Sequence, residues 1–138
     1  MKIIFTVLCA IALFAAPSKS FAVRAALGPA EAGPPYNNGG TMCNTMVQEF
    51  VNYHIEYGGG GGHYVVDSYE VETTVDCGGI SIDNTTTNFT TDPATGLLTG
   101  LTWTGCTDNH NGSGCSWANS STFISYVINA INSHPFHP

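Results

Sequence analysis

The sequence predicts a small single α+β domain, made of an N-terminal helix, a three-stranded antiparallel meander and a C-terminal helix, and held by two disulfides. Three observations lead to this fold class. Apolar residues recur at three- and four-residue steps over 42–57 and again over 121–134, as on one face of a helix. Over 68–103 the period shortens to two residues, which is typical of half-buried strands. Both helices can then cover one face of an antiparallel sheet whose other face meets solvent.

The first 22 residues have the layout of a secretory signal peptide. A basic residue near the start precedes the apolar run 3–16, which is too short to remain as a membrane span. Ser20-Phe21-Ala22 then supplies the small residues of a cleavage site, with Ala25 or Ala26 as second choices for the cut. We therefore predict a signal peptide at 1–22, a secreted protein (extracellular or periplasmic) and no membrane attachment after cleavage.

The first predicted helix follows an irregular segment. Residues 23–41 are rich in Ala, Gly and Pro without periodicity, so we expect a flexible leader to a domain at 42–134. Thr41 is placed to cap the helix. Six side chains form its apolar stripe: Cys43, Met46, Val47, Phe50, Val51 and His54. Five consecutive glycines at 58–62 end the helix and connect it flexibly to the next element.

Three strands are predicted after the glycines. The first alternates over 68–77, Gly78-Gly79 permits a tight hairpin, and the second strand opens at Ile80. A turn with Pro and Gly at 92–96 precedes the third strand at 97–103. Together they give the three-stranded meander.

The last helix is predicted from its cap and its apolar stripe. Ser120 or Ser121 is placed to cap it, and it ends before Pro135, which leaves a tail at 135–138. Five apolar side chains share one face: Phe123, Ile124, Val127, Ile128 and Ile131.

Four cysteines remain after signal removal, and an even number in an oxidising compartment predicts two disulfides. Cys106 and Cys115 flank a short polar loop and form the local pair. That leaves Cys43 with Cys77, a bridge expected to pin the first helix to the end of the first strand. A zinc site built from the same four thiols is disfavoured, because no C-x-x-C spacing occurs.

The charge distribution restricts the choice of partner. Beyond the predicted signal peptide, Arg24 is the only basic residue against ten acidic ones, a formal charge of −9. Nucleic-acid binding is therefore excluded, since nothing can neutralise phosphates. A protein or a glycan is the expected partner, either neutral or positively charged.

Two pairs of residues are candidates for chemistry. His54 and His63 bracket the glycines with Glu56 and Asp67 nearby, a set that could hold a transition metal. The simpler interpretation, which we favour, is that His54 completes the apolar stripe and His63 faces solvent, since no H-E-x-x-H spacing occurs.

In the loop between Cys106 and Cys115, Asp108 and His110 could act as an acid–base pair. The sequence shows no matching nucleophile or oxyanion donors. It predicts no cofactor and no particular oligomeric state, and no family resemblance is evident.

The leading hypothesis is a secreted, acidic binding or surface-interaction module without enzymatic activity. Tyr57 and Trp117 are the aromatic residues that we expect at its contact surface. The alternative is a small secreted hydrolase that uses Asp108 and His110, with or without a metal. A structural envelope or matrix component is a third class.

Four N-x-S/T sequons would carry glycans in a eukaryotic secretory pathway and would have no meaning in a bacterium. They begin at Asn84, Asn88, Asn111 and Asn119.

Overall fold

The computed structural model describes residues 22–136. The signal peptide predicted at 1–22, apart from Ala22, lies outside this range, as does the end of the tail predicted at 135–138. Ten strands and two helices follow one another within it. In order they are β1 (Val23–Ala26), β2 (Glu31–Ala32), β3 (Tyr36–Asn38), β4 (Thr41–Cys43), β5 (Thr45–Gly58), β6 (Gly61–Val75), β7 (Ile80–Thr86), β8 (Asn88–Thr91), β9 (Leu98–Thr102), β10 (Gly105–Asp108), α1 (Ser113–Ala118) and α2 (Ser121–Ser133).

Six of the strands form one antiparallel sheet. Its order is β1, β5, β6, β7 and β10, and β2 pairs with β5 further along the edge that β1 occupies. The hairpins β3–β4 and β8–β9 form two separate two-stranded sheets. The protein is therefore mostly β with two short C-terminal helices, and the predicted α+β fold with an N-terminal helix and a three-stranded meander is wrong. Over 22–136, neither helix has the length and apolar character needed to cross a membrane.

The segment predicted as the first helix forms β5. Val47 and Val51 are four residues apart, which suits one face of a helix and equally one face of a strand. Glu49 lies between these two valines and Thr45 lies before them, and both also point inward and are buried. Because these two residues are polar, they hide the two-residue apolar period of the strand. Branched and aromatic residues further along β5 favour a strand. The glycines at 59–60 form the turn into β6.

The segment 23–41, expected as a flexible leader, supplies three strands. β1 pairs along residues 50–53 of β5, β2 pairs along Met46 and Val47, and β3 pairs with β4. Each of these strands has two to four residues, and Gly and Pro separate them. No alternation is visible in such short pieces, which is why their pairing with β5 could not be anticipated.

The meander differs from its prediction in the third strand. Both predicted turns form: Gly78 and Gly79 adopt positive φ (81° and 69°) between β6 and β7, and the Asp92 carbonyl accepts from the Gly96 N–H at 2.7 Å. However, β9 pairs with β8 instead of β7. The place beside β7 belongs to β10, which the sequence pattern does not reveal.

The C-terminal helix is confirmed, and it covers one face of the sheet. The Ser120 hydroxyl accepts from the Phe123 N–H at 3.3 Å as its N-cap. Phe123 and Val127 are fully buried and pack in one core with Val47 and Val71 of the sheet. We call this side the helix-covered face and the opposite side the open face.

Both predicted disulfides form. Cys43–Cys77 and Cys106–Cys115 have Cα–Cα distances of 5.5 and 5.8 Å. The first bridge joins β4 to the turn between β6 and β7, so it pins a hairpin and not a helix. The second joins β10 to α1. The first bridge lies at the end of the sheet away from the β5–β6 turn.

The β5–β6 hairpin is longer than the sheet that supports it. Pairing of β1 on β5 ends at Tyr53, and pairing of β7 on β6 begins at Tyr69. Residues 54–68 therefore form a two-stranded projection, which we call the hairpin arm. A register shift after Asn52 leaves Asp67 without an opposite residue, as in a β-bulge.

Candidate functional site

A groove of about 520 Å³ lies between the hairpin arm, the β8–β9 hairpin and the end of α2. This volume is within the range of small-ligand and peptide sites. The described residues that line it include no acidic, basic or histidine side chain. They are Tyr64, Val65, Val66, Tyr69, Phe89, Thr91, Thr95, Gly96, Leu97, Leu98, Ile131, Asn132, Pro135 and Phe136.

Strand alternation and the chain end build the aromatic wall of this groove. Tyr53 on β5 and Tyr64 on β6 point to the helix-covered side, where Phe136 packs against both, with ring centroids 4.5 and 6.1 Å away. Tyr69 and Phe89 make an edge-on contact at 5.1 Å and form another part of the wall. The groove thus combines residues from distant parts of the chain.

The groove offers few free hydrogen-bonding groups. Among the described lining residues, Asn132 has the only amide side chain. Its Oδ1 accepts from the Leu98 N–H at 2.8 Å, and its Nδ2 donates to the Leu98 carbonyl at 2.9 Å. The Thr95 hydroxyl accepts weakly from the Leu97 N–H at 3.4 Å. A ligand would therefore be held mainly by apolar contact, with Tyr and Thr hydroxyls for orientation.

The two aromatic residues expected at a contact surface differ in placement. Tyr57 is exposed near the tip of the arm. Trp117 is half-buried: its ring lies 4.3 Å from that of Phe123, and its Nε1 donates to the Pro35 carbonyl at 3.2 Å. Trp117 therefore joins α1 to the N-terminal segment and the core.

Asp108 has a structural role in the disulfide loop. Its two carboxylate oxygens accept from the main-chain N–H groups of His110 and Gly114, at 2.8 and 2.7 Å. These bonds shape the loop and hold the start of α1. Over 22–136 no hydrogen bond or ion pair joins the Asp108 carboxylate to the His110 imidazole, so the predicted acid–base pair is not assembled.

His54 and His63 both lie on the open face, and each contacts the carboxylate of Glu56. Nδ1 of His54 lies 2.8 and 2.9 Å from the two carboxylate oxygens of Asp67, and its Nε2 lies 3.1 Å from Glu56 Oε1. Nε2 of His63 lies 3.4 Å from Glu56 Oε2. We call these four residues the histidine cluster. The carboxylate of Asp67, and then that of Glu56, raises the pKa of His54.

The only basic side chain beyond the predicted signal peptide is already occupied. Arg24 lies over the Phe50 ring, 3.4 Å from its centroid, and makes a two-pronged contact with Glu70 at 2.9 and 3.0 Å. It also bonds to Glu72. Arg24 is therefore committed to the acidic open face and is not placed to bind an anionic ligand.

The sequence analysis missed a buried carboxyl group. Glu49 is 2% exposed on the helix-covered face, and its Oε1 has no hydrogen-bond partner in the described structure. Burial is the main cause that raises its pKa to about 7, with the charge of Glu31 adding and His134 opposing. Burial, and then the charge of Glu49, also raises the pKa of Tyr126 to about 12. Recognition of β5 as a strand would have placed Glu49 inside.

The four sequons are not equivalent. Asn84 is fully buried in β7, so a glycan there is incompatible with this fold. Asn88, Asn111 and Asn119 are exposed.

Comparison with known proteins gives no relative. The chain matches no protein-family model, no curated protein and no solved structure.

Proposed function

We propose that this protein is a secreted, disulfide-bonded binding module whose groove takes a neutral, mainly apolar ligand. The observation that carries the proposal is the groove of about 520 Å³, lined by aromatic and aliphatic side chains and by none with a charge among the described residues. All ten acidic residues of the chain lie outside this lining. The two disulfides and the layout of the N-terminus support secretion.

The lining favours a peptide with apolar side chains over a glycan. Sugar hydroxyls need many hydrogen-bond partners, and the Asn132 amide is already used by Leu98. Tyr64 and Leu97 are both more than 40% exposed at the groove and can each cover an apolar side chain of the ligand. Aromatic anchors of this kind account for much of the affinity in protein–protein contacts.

Binding of Nile red, a neutral apolar fluorophore, tests the groove. We expect the secreted protein to bind the dye and Leu97→Asp to bind it at least about 10-fold more weakly, because the new carboxylate would lie in an apolar wall. A neutral peptide containing Phe and Leu should displace the dye, and a neutral oligosaccharide should not.

Met42→Asp is the matched control. Met42 is 61% exposed on the β3–β4 hairpin, outside the groove, so this variant adds the same charge elsewhere. Equal dye binding by Leu97→Asp and Met42→Asp would contradict the proposal, and so would displacement by the oligosaccharide alone.

A further inference from the structure

The histidine cluster lies on the side of the arm opposite the groove, and its donors share one face. His54 and Glu56 are two residues apart on β5, so both point to the open face. His63 on β6 is the register partner of Glu56 and points the same way. Two imidazoles and one carboxylate, a common ligand set for zinc, therefore lie on one face of a short two-stranded scaffold.

Asp67 orients His54 as the outer partner of a metal-bound histidine does. A histidine that binds a metal through one ring nitrogen nearly always donates its other N–H to a carboxylate or carbonyl. The Asp67 carboxylate holds Nδ1 of His54 with both oxygens, at 2.8 and 2.9 Å. Nε2 is thereby aimed at Glu56. The bulge that frees Asp67 from strand pairing makes this contact available.

The nitrogen–oxygen separations in the histidine cluster are close to those between zinc ligands, although the two histidines contact different oxygens of Glu56. Ligands about 2.0–2.1 Å from a tetrahedral ion are roughly 3.3–3.4 Å apart. Oε1 of Glu56 lies 3.1 Å from His54 Nε2, and Oε2 of the same carboxylate lies 3.4 Å from His63 Nε2, so each histidine contacts a different oxygen. The three donors do not all lie within 4.8 Å of one another, so the His63 ring must turn toward His54 to complete the site. Its side chain is 66% exposed and follows the glycine turn, so it can do so.

We propose that His54, Glu56 and His63 form a three-ligand zinc site on the open face of the hairpin arm, with Asp67 as a positioning residue. Three protein ligands leave one coordination position open, and the site does not depend on the groove. Within 22–136 the one set of three potential ligands already within 4.8 Å of one another is Cys43, Asp76 and Cys77. It is not a competitor, because the two cysteines are joined in a disulfide and offer no thiolate.

Zinc titration of the secreted protein tests this site. Native mass spectrometry should show one Zn²⁺ per chain, and competition with a chromogenic chelator gives its affinity. His63→Ala should weaken zinc binding at least about 10-fold with an unchanged unfolding transition, since the side chain is exposed. Asp67→Asn should weaken it about 10- to 100-fold, because the Nδ1 contact of His54 is altered.

His110→Ala is the matched control, because it removes another exposed histidine that is remote in the fold. His134→Ala controls for the histidine at the end of α2. Both should bind zinc as the unchanged protein does. The proposal is overturned if His63→Ala retains full affinity, if either control loses as much as His63→Ala, or if the unchanged protein retains no zinc.

Discussion

The two ends of the β5–β6 hairpin differ in how they are supported, although the same two strands build both. At the bridged end, β1, β2 and β7 flank the strands, α2 covers them and the Cys43–Cys77 disulfide closes the end. At the other end the arm 54–68 has no neighbouring strand among the described residues, and Phe136 packs on its inner side. The bridged end supplies stability, while the arm carries the groove wall and the histidine cluster.

Of the changes that test this comparison, removal of the Cys43–Cys77 disulfide should have the largest effect on the stability of the protein. Cys43→Ala/Cys77→Ala opens a bridge across 34 residues, and we expect a loss of about 3–4 kcal/mol in the free energy of unfolding. The double variant should unfold as a whole at a lower urea concentration than the unchanged protein does. The comparison fails if this double variant is as stable as the unchanged protein.

Glu49→Gln should have the next largest effect, and it should depend on pH. The folded pKa of Glu49, about 7, lies above its ordinary value of 4.5, so its contribution is fully present below pH 4.5 and is lost as pH rises through 7. Because the glutamine of the variant cannot ionise, Glu49→Gln removes that loss. The free energy of unfolding of the variant minus that of the unchanged protein should therefore be about 2 to 3 kcal/mol larger at pH 8 than at pH 4.5.

Urea unfolding of both proteins at the two pH values measures this effect. Other titrating groups, such as His54, are common to both proteins and cancel in the difference. A difference that is the same at pH 4.5 and pH 8 would show that Glu49 is not held in its buried position.

Phe136→Ala should have the smallest global effect and should act on the arm. It removes the ring contacts with Tyr53 and Tyr64, each worth about 0.5–1.5 kcal/mol. Amide exchange over 54–66 should become faster, with little change over 71–82. Faster exchange of both segments to the same extent would mean that the arm and the bridged end form one cooperative unit.

The features that sequence reasoning predicted correctly are local ones. The cap of α2, the turns at 78–79 and 92–96, and the disulfide between Cys106 and Cys115 each depend on residues close in the chain. The Cys43–Cys77 pair then followed by elimination. Such features are set by short-range geometry, so a single sequence contains enough information to predict them.

The features that it missed depend on long-range pairing. The spacing of Val47 and Val51 fits both a helix and a strand. The buried position of Glu49 between them distinguishes the strand from the helix, but that position is known only from the structure of the sheet. The groove requires Phe136 to reach Tyr64, which lies much earlier in the chain. His54 and His63 face the same side and share Glu56 only because the glycines form a hairpin turn, a consequence that the predicted helix concealed.

Hydrogen exchange of the secreted protein, segment by segment with and without Nile red, tests most directly the division between a stable bridged end and a binding arm. We expect the amides of 71–82 to exchange only through global unfolding and those of 54–66 through local opening. Nile red should slow exchange in the arm and around the groove and leave 71–82 unchanged. Uniform protection of both segments, or an effect of Nile red confined to the bridged end, would contradict this division.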